Sequence, residues 1–159
     1  HEISSVMSAS TSHIHHRSLD DLRVGEVFST QGYTLTQADI TSFAFAFDPQ
    51  PFHIDAVAAE QSIFGGQIAS GFHTIALCFR LFIQSGIFNN SSLGGTGLDE
   101  VRWFAPVRPG DTLRAEVEVI SLHPSKSKAE RGVAVLQYRG YNQRQELVVS
   151  FYGNHYLLR

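Results

Sequence analysis

Cysteine is close to absent. Cys78 stands alone among 159 residues, which excludes an internal disulfide framework and any paired-cysteine metal or redox motif, and suits a reducing cytoplasm. Charge is also sparse. Asp, Glu, Lys and Arg make up 17% of the chain, 15 acidic against 12 basic for a net charge of −3. No basic run offers itself to a phosphate backbone, so nucleic acid is not expected as a partner. Long apolar runs are missing too. Arg80 and Gln84 interrupt the longest one, Ile75 to Phe88, short of the roughly 18 to 20 residues that span a bilayer. A soluble, cytoplasmic protein with no membrane partner is the expectation. What is present is a 43% hydrophobic composition, enough in a chain of this length to bury one core without disulfides or metal. The low charged fraction further suggests that a second subunit covers part of the surface.

From His1 to about His16 the chain mixes Ser, Thr and His with neither periodicity nor an apolar signal core. Residues 1–18 are therefore read as a disordered or tag-derived tail and 19–159 as the domain. No functional metal site is expected from His13, His15 and His16. Val27 to Leu35 alternates β-branched and aromatic residues and predicts a strand. Thr36 with Asp39 three positions on is a capping box, and Ile40, Phe43, Ala44 and Phe47 recur at helical spacing, which predicts a helix over 37–47. Asp55 is placed to cap a second, short helix over 56–63, stopped by Gly65 and Gly66. Phe72 to Phe88 is apolar on nearly every side and predicts a central helix that other elements must wrap. Asn89 to Gly97 reads as a Gly-rich loop. After it, Leu98–Pro106, Asp111–Leu122, Glu130–Tyr141 and Gln145–Leu158 read as four strands, parted by turn signals at Pro109-Gly110, Pro124-Ser125 and Asn142-Gln143. A block of helices followed by a run of strands indicates an α+β fold with an antiparallel sheet of about five strands.

Between the first two helices lies Phe47-Asp48-Pro49-Gln50-Pro51-Phe52-His53-Ile54-Asp55. The two prolines fix their own φ angles and push Asp48 and Gln50 toward extended geometry, so neither a helix nor a central strand is expected to run through it. Two readings are open from these residues alone. Asp48 and His53 can face one cleft, where a carboxylate and an imidazole hold or move a water proton. Or Asp48 merely ends a helix, His53 packs beside Phe52, and Asp55 caps the next helix.

The order Asp48-x-x-Pro51-x-His53-x-Asp55, then Ile68-Ala69-Ser70-Gly71 opening a long apolar helix, then Arg102-Trp103-x-x-Pro106-Val107-x-Pro109-Gly110-Asp111-Thr112-Leu113, resembles the MaoC-like dehydratases of the hot-dog superfamily. These are relatives of the (R)-specific enoyl-CoA hydratases, and the likeness covers roughly residues 20 to 158. It implies a five-stranded antiparallel sheet wrapped around one long helix, and pairing as a homodimer or a dimer of dimers. It also implies no metal or redox cofactor, with CoA or acyl carrier protein serving as carrier of an acyl-thioester substrate. By position it makes Asp48 and His53 the acid-base dyad. One departure is Gln50, where the pattern commonly has Asn.

Hydrating the double bond of an enoyl thioester, or dehydrating the (R)-3-hydroxyacyl thioester, needs an activated water, a proton for the α-carbon and stabilisation of an enolate-like oxygen. With the resemblance, the Gly71 backbone N–H at the start of the buried helix is the expected oxyanion donor. Without it, Ser70 only caps that helix and Gly71 only allows close packing. Ser70 either orients the dyad or caps. His73 and Cys78 read as packed residues, Asp55 as a cap, and Gly94-Gly95-x-Gly97 as a flexible loop near the substrate tunnel. Arg80, Arg102 and Arg108 are candidates for the CoA phosphates by charge alone. Two other functions compete: a hot-dog acyl-CoA thioesterase, and a non-catalytic acyl-thioester binding domain.

Overall fold

The computed structural model describes residues 16–159. Of the tail anticipated over 1–18, residues 1–15 lie outside the described residues. The remainder belongs to the domain: the His16 Nδ1 lies 2.8 Å from the Gly86 carbonyl oxygen, the Arg17 N–H donates to the Ile87 carbonyl at 2.7 Å, and Ser18 opens a one-turn 3-10 helix at Leu19–Asp21. Burial of Leu19 and Leu22 in the core anchors that entry, so the boundary falls earlier than residue 19.

The first helix, α1 (Gln37–Phe47), starts at its capping box. Thr36 accepts from the Asp39 N–H at 3.0 Å while Asp39 accepts from the Thr36 N–H at 2.9 Å, and the helix ends at Asp48 as expected. The proline segment differs from expectation. Pro51–Ile54 forms a one-turn helix, α2, with Pro51 at its first position, where the missing N–H would have had no partner and the fixed φ is already helical. Asp55 then caps α3 (Ala56–Glu60) by accepting from the Val57 and Ala58 N–H groups. The predicted strand over 27–35 is split into β1 (Val27–Ser29) and β2 (Tyr33–Thr34), both of which pair with the later strand Thr112–Pro124.

The long helix, α4 (Gly71–Ile83), is shorter than the apolar run that encodes it, because Gly86 turns the chain at φ 82° and Ile87 and Phe88 enter the core from a loop. Strands β3 (Ser92–Trp103), β4 (Thr112–Pro124), β5 (Arg131–Tyr141) and β6 (Leu147–Leu158) complete an antiparallel sheet in the order β1-β4-β5-β6-β3. Gly94, Gly95 and Gly97 therefore lie in a strand. The ladder to β6 is made by main chain and needs no side chains, although the register shifts around these glycines.

One face of the sheet packs on α4. Leu77, Cys78, Leu81 and Phe82 meet Leu113, Ala115, Val117 and Val119 of β4 and Leu136, Tyr138 and Phe151 beyond. Arg114, Glu116 and Glu118 alternate with that buried set and pair on the outer face, as the pattern foretold. At Gly140 an added Cβ would stand 2.7 Å from the Cys78 Sγ, so helix and sheet approach as closely as they do because β5 carries no side chain there. The wrapping of α4 is one-sided within one chain: Phe72 is 62% and Phe79 43% exposed on its other flank. No helix of the described residues is long and apolar enough to cross a membrane.

Candidate active site

Helix α1 ends by delivering Asp48, and α2 carries His53 back over it. The His53 Nε2 stands 3.2 Å from the Asp48 Oδ2, with both side chains largely buried. Ser70 donates its hydroxyl to the same Oδ2 at 2.7 Å, and the Gln50 amide donates to Oδ1 at 2.7 Å. The longer amide thus reaches the carboxylate directly. On its far side the His53 Nδ1 lies 2.7 Å from the Ile68 carbonyl oxygen. A carbonyl only accepts, so Nδ1 carries a proton and Nε2 is the nitrogen turned to Asp48. That 3.2 Å contact is a hydrogen bond when a proton lies between the two atoms. Burial pushes the Asp48 carboxyl up, but the hydrogen bonds from Ser70 and Gln50 and the neighbouring His53 outweigh it, and its pKa lies below the ordinary carboxylate value.

Ser70 combines both roles left open by the sequence. It caps α4 by accepting from the Phe72 N–H at 3.3 Å while it donates to Asp48. Gly71 follows as the first residue of α4, and its N–H meets no acceptor among the described residues. An unpaired amide at the positive end of a 13-residue helix is suited to an oxygen that gains charge. Asp48, His53 and Gly71 all line one cavity of about 430 Å³, walled by Phe52, Phe64, Phe72 and Trp103.

Two contributors escaped the sequence reading. The indole of Trp103 donates to the Gly71 carbonyl at 3.1 Å, and a Cβ on Gly71 would stand 2.6 to 2.8 Å from its ring atoms; the glycine is what lets β3 close on the helix start. Trp103 was visible in the motif but had no role assigned. Gln67 donates one amide nitrogen to both the His53 carbonyl at 2.6 Å and the Thr41 hydroxyl at 2.9 Å, tying α2 to α1. Nothing in the local pattern marks it.

Other expected residues fall elsewhere. His73 stacks on Phe43 at 4.5 Å with its Nδ1 buried and unpartnered, and burial lowers its pKa against the pull of Asp39. Burial pushes the Cys78 thiol up to about 12. Arg108 is spent on the Phe64 carbonyl and Arg80 lies over the Tyr33 ring, while Arg102 is exposed and reaches only its neighbour's carbonyl.

Residues 21–138 match the family model described as the MaoC like domain. The chain belongs to the MaoC-like family. The MaoC-like dehydratase from Rhodospirillum rubrum superposes on it with a TM-score of 0.82 at 40% identity, covering 90% of this chain and 97% of that one. The uncharacterized protein YdeM of Bacillus subtilis is 35% identical over 127 residues, 80% of this chain and 89% of that protein. The (R)-specific enoyl-CoA hydratase of Rhodospirillum rubrum is 32% identical over 126 residues, 76% of this chain and 80% of that enzyme. The MaoC-like domain seen here has the hot-dog architecture of those structural relatives, with the sheet laid against α4.

Proposed function

We propose that this MaoC-like protein is a hydro-lyase that adds water across trans-2-enoyl thioesters and removes it from (R)-3-hydroxyacyl thioesters. The observation that carries the reading is the contact of Asp48 with His53 at 3.2 Å in a cavity that also holds the free start of α4. A water in the cavity, hydrogen-bonded to both the Asp48 carboxylate and the His53 Nε2, gives one proton to the pair as its oxygen bonds the β-carbon. The pair returns a proton to the α-carbon, leaving the dyad as it began. The thioester oxygen gathers charge in between, and the Gly71 N–H receives it. Ser70 and Gln50 hold the carboxylate in place. The thioester is carried on CoA or acyl carrier protein, and the chemistry calls for no metal or redox cofactor.

The protein acts as a homodimer joined along β3. This strand is exposed over nearly its whole length at the sheet edge, and Leu98, Trp103 and Phe104 beside it are each more than half exposed, a surface a single folded chain rarely leaves bare.

The reaction is tested by following loss of the enoyl absorbance of crotonyl-CoA. Wild type is expected to consume it, and Asp48→Asn and His53→Ala each to lose at least about a hundredfold in kcat/KM. Either variant working at the full rate sinks the dyad. Release of free thiol in place of hydration would assign a thioesterase.

A further inference from the structure

A second cavity, of about 350 Å³, opens between the C-terminal half of α4 and the start of β3. Phe79, Ile83, Phe88 and Leu98 make its apolar wall, and Gly94, Gly95 and Gly97 leave much of its β3 side open. No Asp, Glu, Lys or Arg lines it. At its base sits a polar pair that the chemistry above does not use. The inward stripe of β6 runs Val149, Phe151, Gly153, His155, Leu157, and His155 is its one polar member, only 6% exposed. Its Nε2 is 2.6 Å from the hydroxyl of Tyr138, itself fully buried. The ring is held among Phe79, Phe82, Phe88 and Tyr138. Gly153 keeps the space open, since a Cβ there would stand 3.1 Å from the Tyr138 ring and 3.4 Å from the His155 Nε2.

The pair is incompletely satisfied. The His155 Nδ1 has no hydrogen-bond partner among the described residues, yet it is not sealed from the cavity that His155 lines. Burial pushes the His155 pKa down to about 4 and holds the Tyr138 hydroxyl protonated. At neutral pH the group is therefore an uncharged imidazole. With the hydroxyl donating to Nε2, the ring proton sits on Nδ1 and is a donor that no described residue receives, open to the cavity. A lone donor opening into a pocket with an apolar wall fits a ligand that brings an acceptor.

The cavity has a natural occupant. In the dimer proposed above, two β3 edges paired antiparallel about a two-fold near the middle of the strand would set Trp103 of one copy beside Ser92 to Gly95 of the other. That pairing would bring the second cavity of one chain up to the Trp103 wall of its partner's catalytic cavity. We infer that the Tyr138–His155 pair receives an uncharged oxygen (hydroxyl, keto or ether) at the far end of the acyl chain bound in the opposite active site. The substrates are thus oxygenated enoyl thioesters in preference to plain alkyl ones. Resting on the hydratase reading and on the β3 dimer, this inference names the substrate class of that same site. A carboxylate at the chain end is disfavoured, because the cavity offers no cation to offset its desolvation.

The test compares medium-chain trans-2-enoyl-CoA esters with their ω-hydroxy analogues of equal length, reading the ratio of kcat/KM within each protein. Wild type is expected to favour the hydroxylated ester by roughly five- to tenfold, the effect of one buried hydrogen bond. His155→Val is expected to invert the ratio, and Tyr138→Phe, which keeps the ring packing, to lower it. A wild-type ratio near one, or a ratio unchanged in His155→Val, overturns the inference. Tag-purified mixed dimers of Asp48→Asn and His155→Val chains locate the pair: the competent site faces a native His155 and keeps the preference, and its loss there overturns the placement across the dimer. If crotonyl-CoA and the longer esters are not turned over at all, the hydratase reading fails separately. The pocket is then read by calorimetric Kd values of saturated acyl-CoA and ω-hydroxyacyl-CoA, with equal values in wild type counting against it.

Discussion

Asp48 is the most heavily contacted group of the candidate site, because three side chains compete for its two oxygens. Ser70 and His53 share Oδ2 while Gln50 occupies Oδ1. Donors to a carboxylate favour its charged form, which is why the group stays below its ordinary pKa despite burial. If ionised Asp48 is the competent form, activity is present above its folded pKa and lost as pH falls through it. Ser70→Ala removes a lowering contact and leaves the desolvation in place. The acid limb of kcat/KM is therefore expected to move to higher pH in Ser70→Ala, with a several-fold drop at neutral pH. A pH–rate profile checks this, and an unmoved or lowered limb refutes it. The capping role alone would cost stability without shifting the limb, so the two functions of Ser70 separate in one measurement.

The junction of α4 with β3 is the element on which the proposed oxyanion site depends. Gly71→Ala forces a methyl into space held by the indole of Trp103. The expected result is a fall in kcat of tenfold or more and roughly 1 to 3 kcal/mol of lost stability from overpacking. Trp103 is the single tryptophan, so its emission reports the junction directly: it should change on binding an acyl-CoA and differ in Gly71→Ala before any ligand is added. Identical spectra in both proteins would mean that the indole does not lie on the glycine.

This element also marks how far the chain was legible from its residues. Period and caps told where α1 and α3 begin, because Thr36, Asp39 and Asp55 act within one turn of themselves. The alternation of Leu113 to Val119 told which face of β4 is wet. The proline segment misled because Pro51 obeys a positional rule: forbidden inside a helix, it is favoured at the first residue. The glycines before Leu98 misled because a strand at the sheet edge is held by main chain, which leaves no side-chain signature. Asp48 and His53 were nameable from the family motif. Gln67 and the Trp103 indole act across 14 and 32 residues of sequence, a separation at which no local pattern carries information.

At the scale of the molecule, the half-covered flank of α4 and the bare edge of β3 lie where a second copy would complete both. Leu98→Lys would set like charges near the proposed two-fold, at a residue 51% exposed in the single chain. Sedimentation is expected to show a dimer for wild type and a monomer for Leu98→Lys, with hydratase activity lost in the monomer. A wild-type protein that sediments as a monomer at micromolar concentration defeats the pairing. The same edge has a consequence for biogenesis. Gly94, Gly95 and Gly97 give its first half little side-chain cover, so a newly made chain exposes unpaired amides and carbonyls there that can pair with another extended segment. In the proposed dimer its correct partner is another nascent copy, which would make the last step of maturation a race between two second-order encounters. Chains translated close together on one message finish that race sooner than chains released alone.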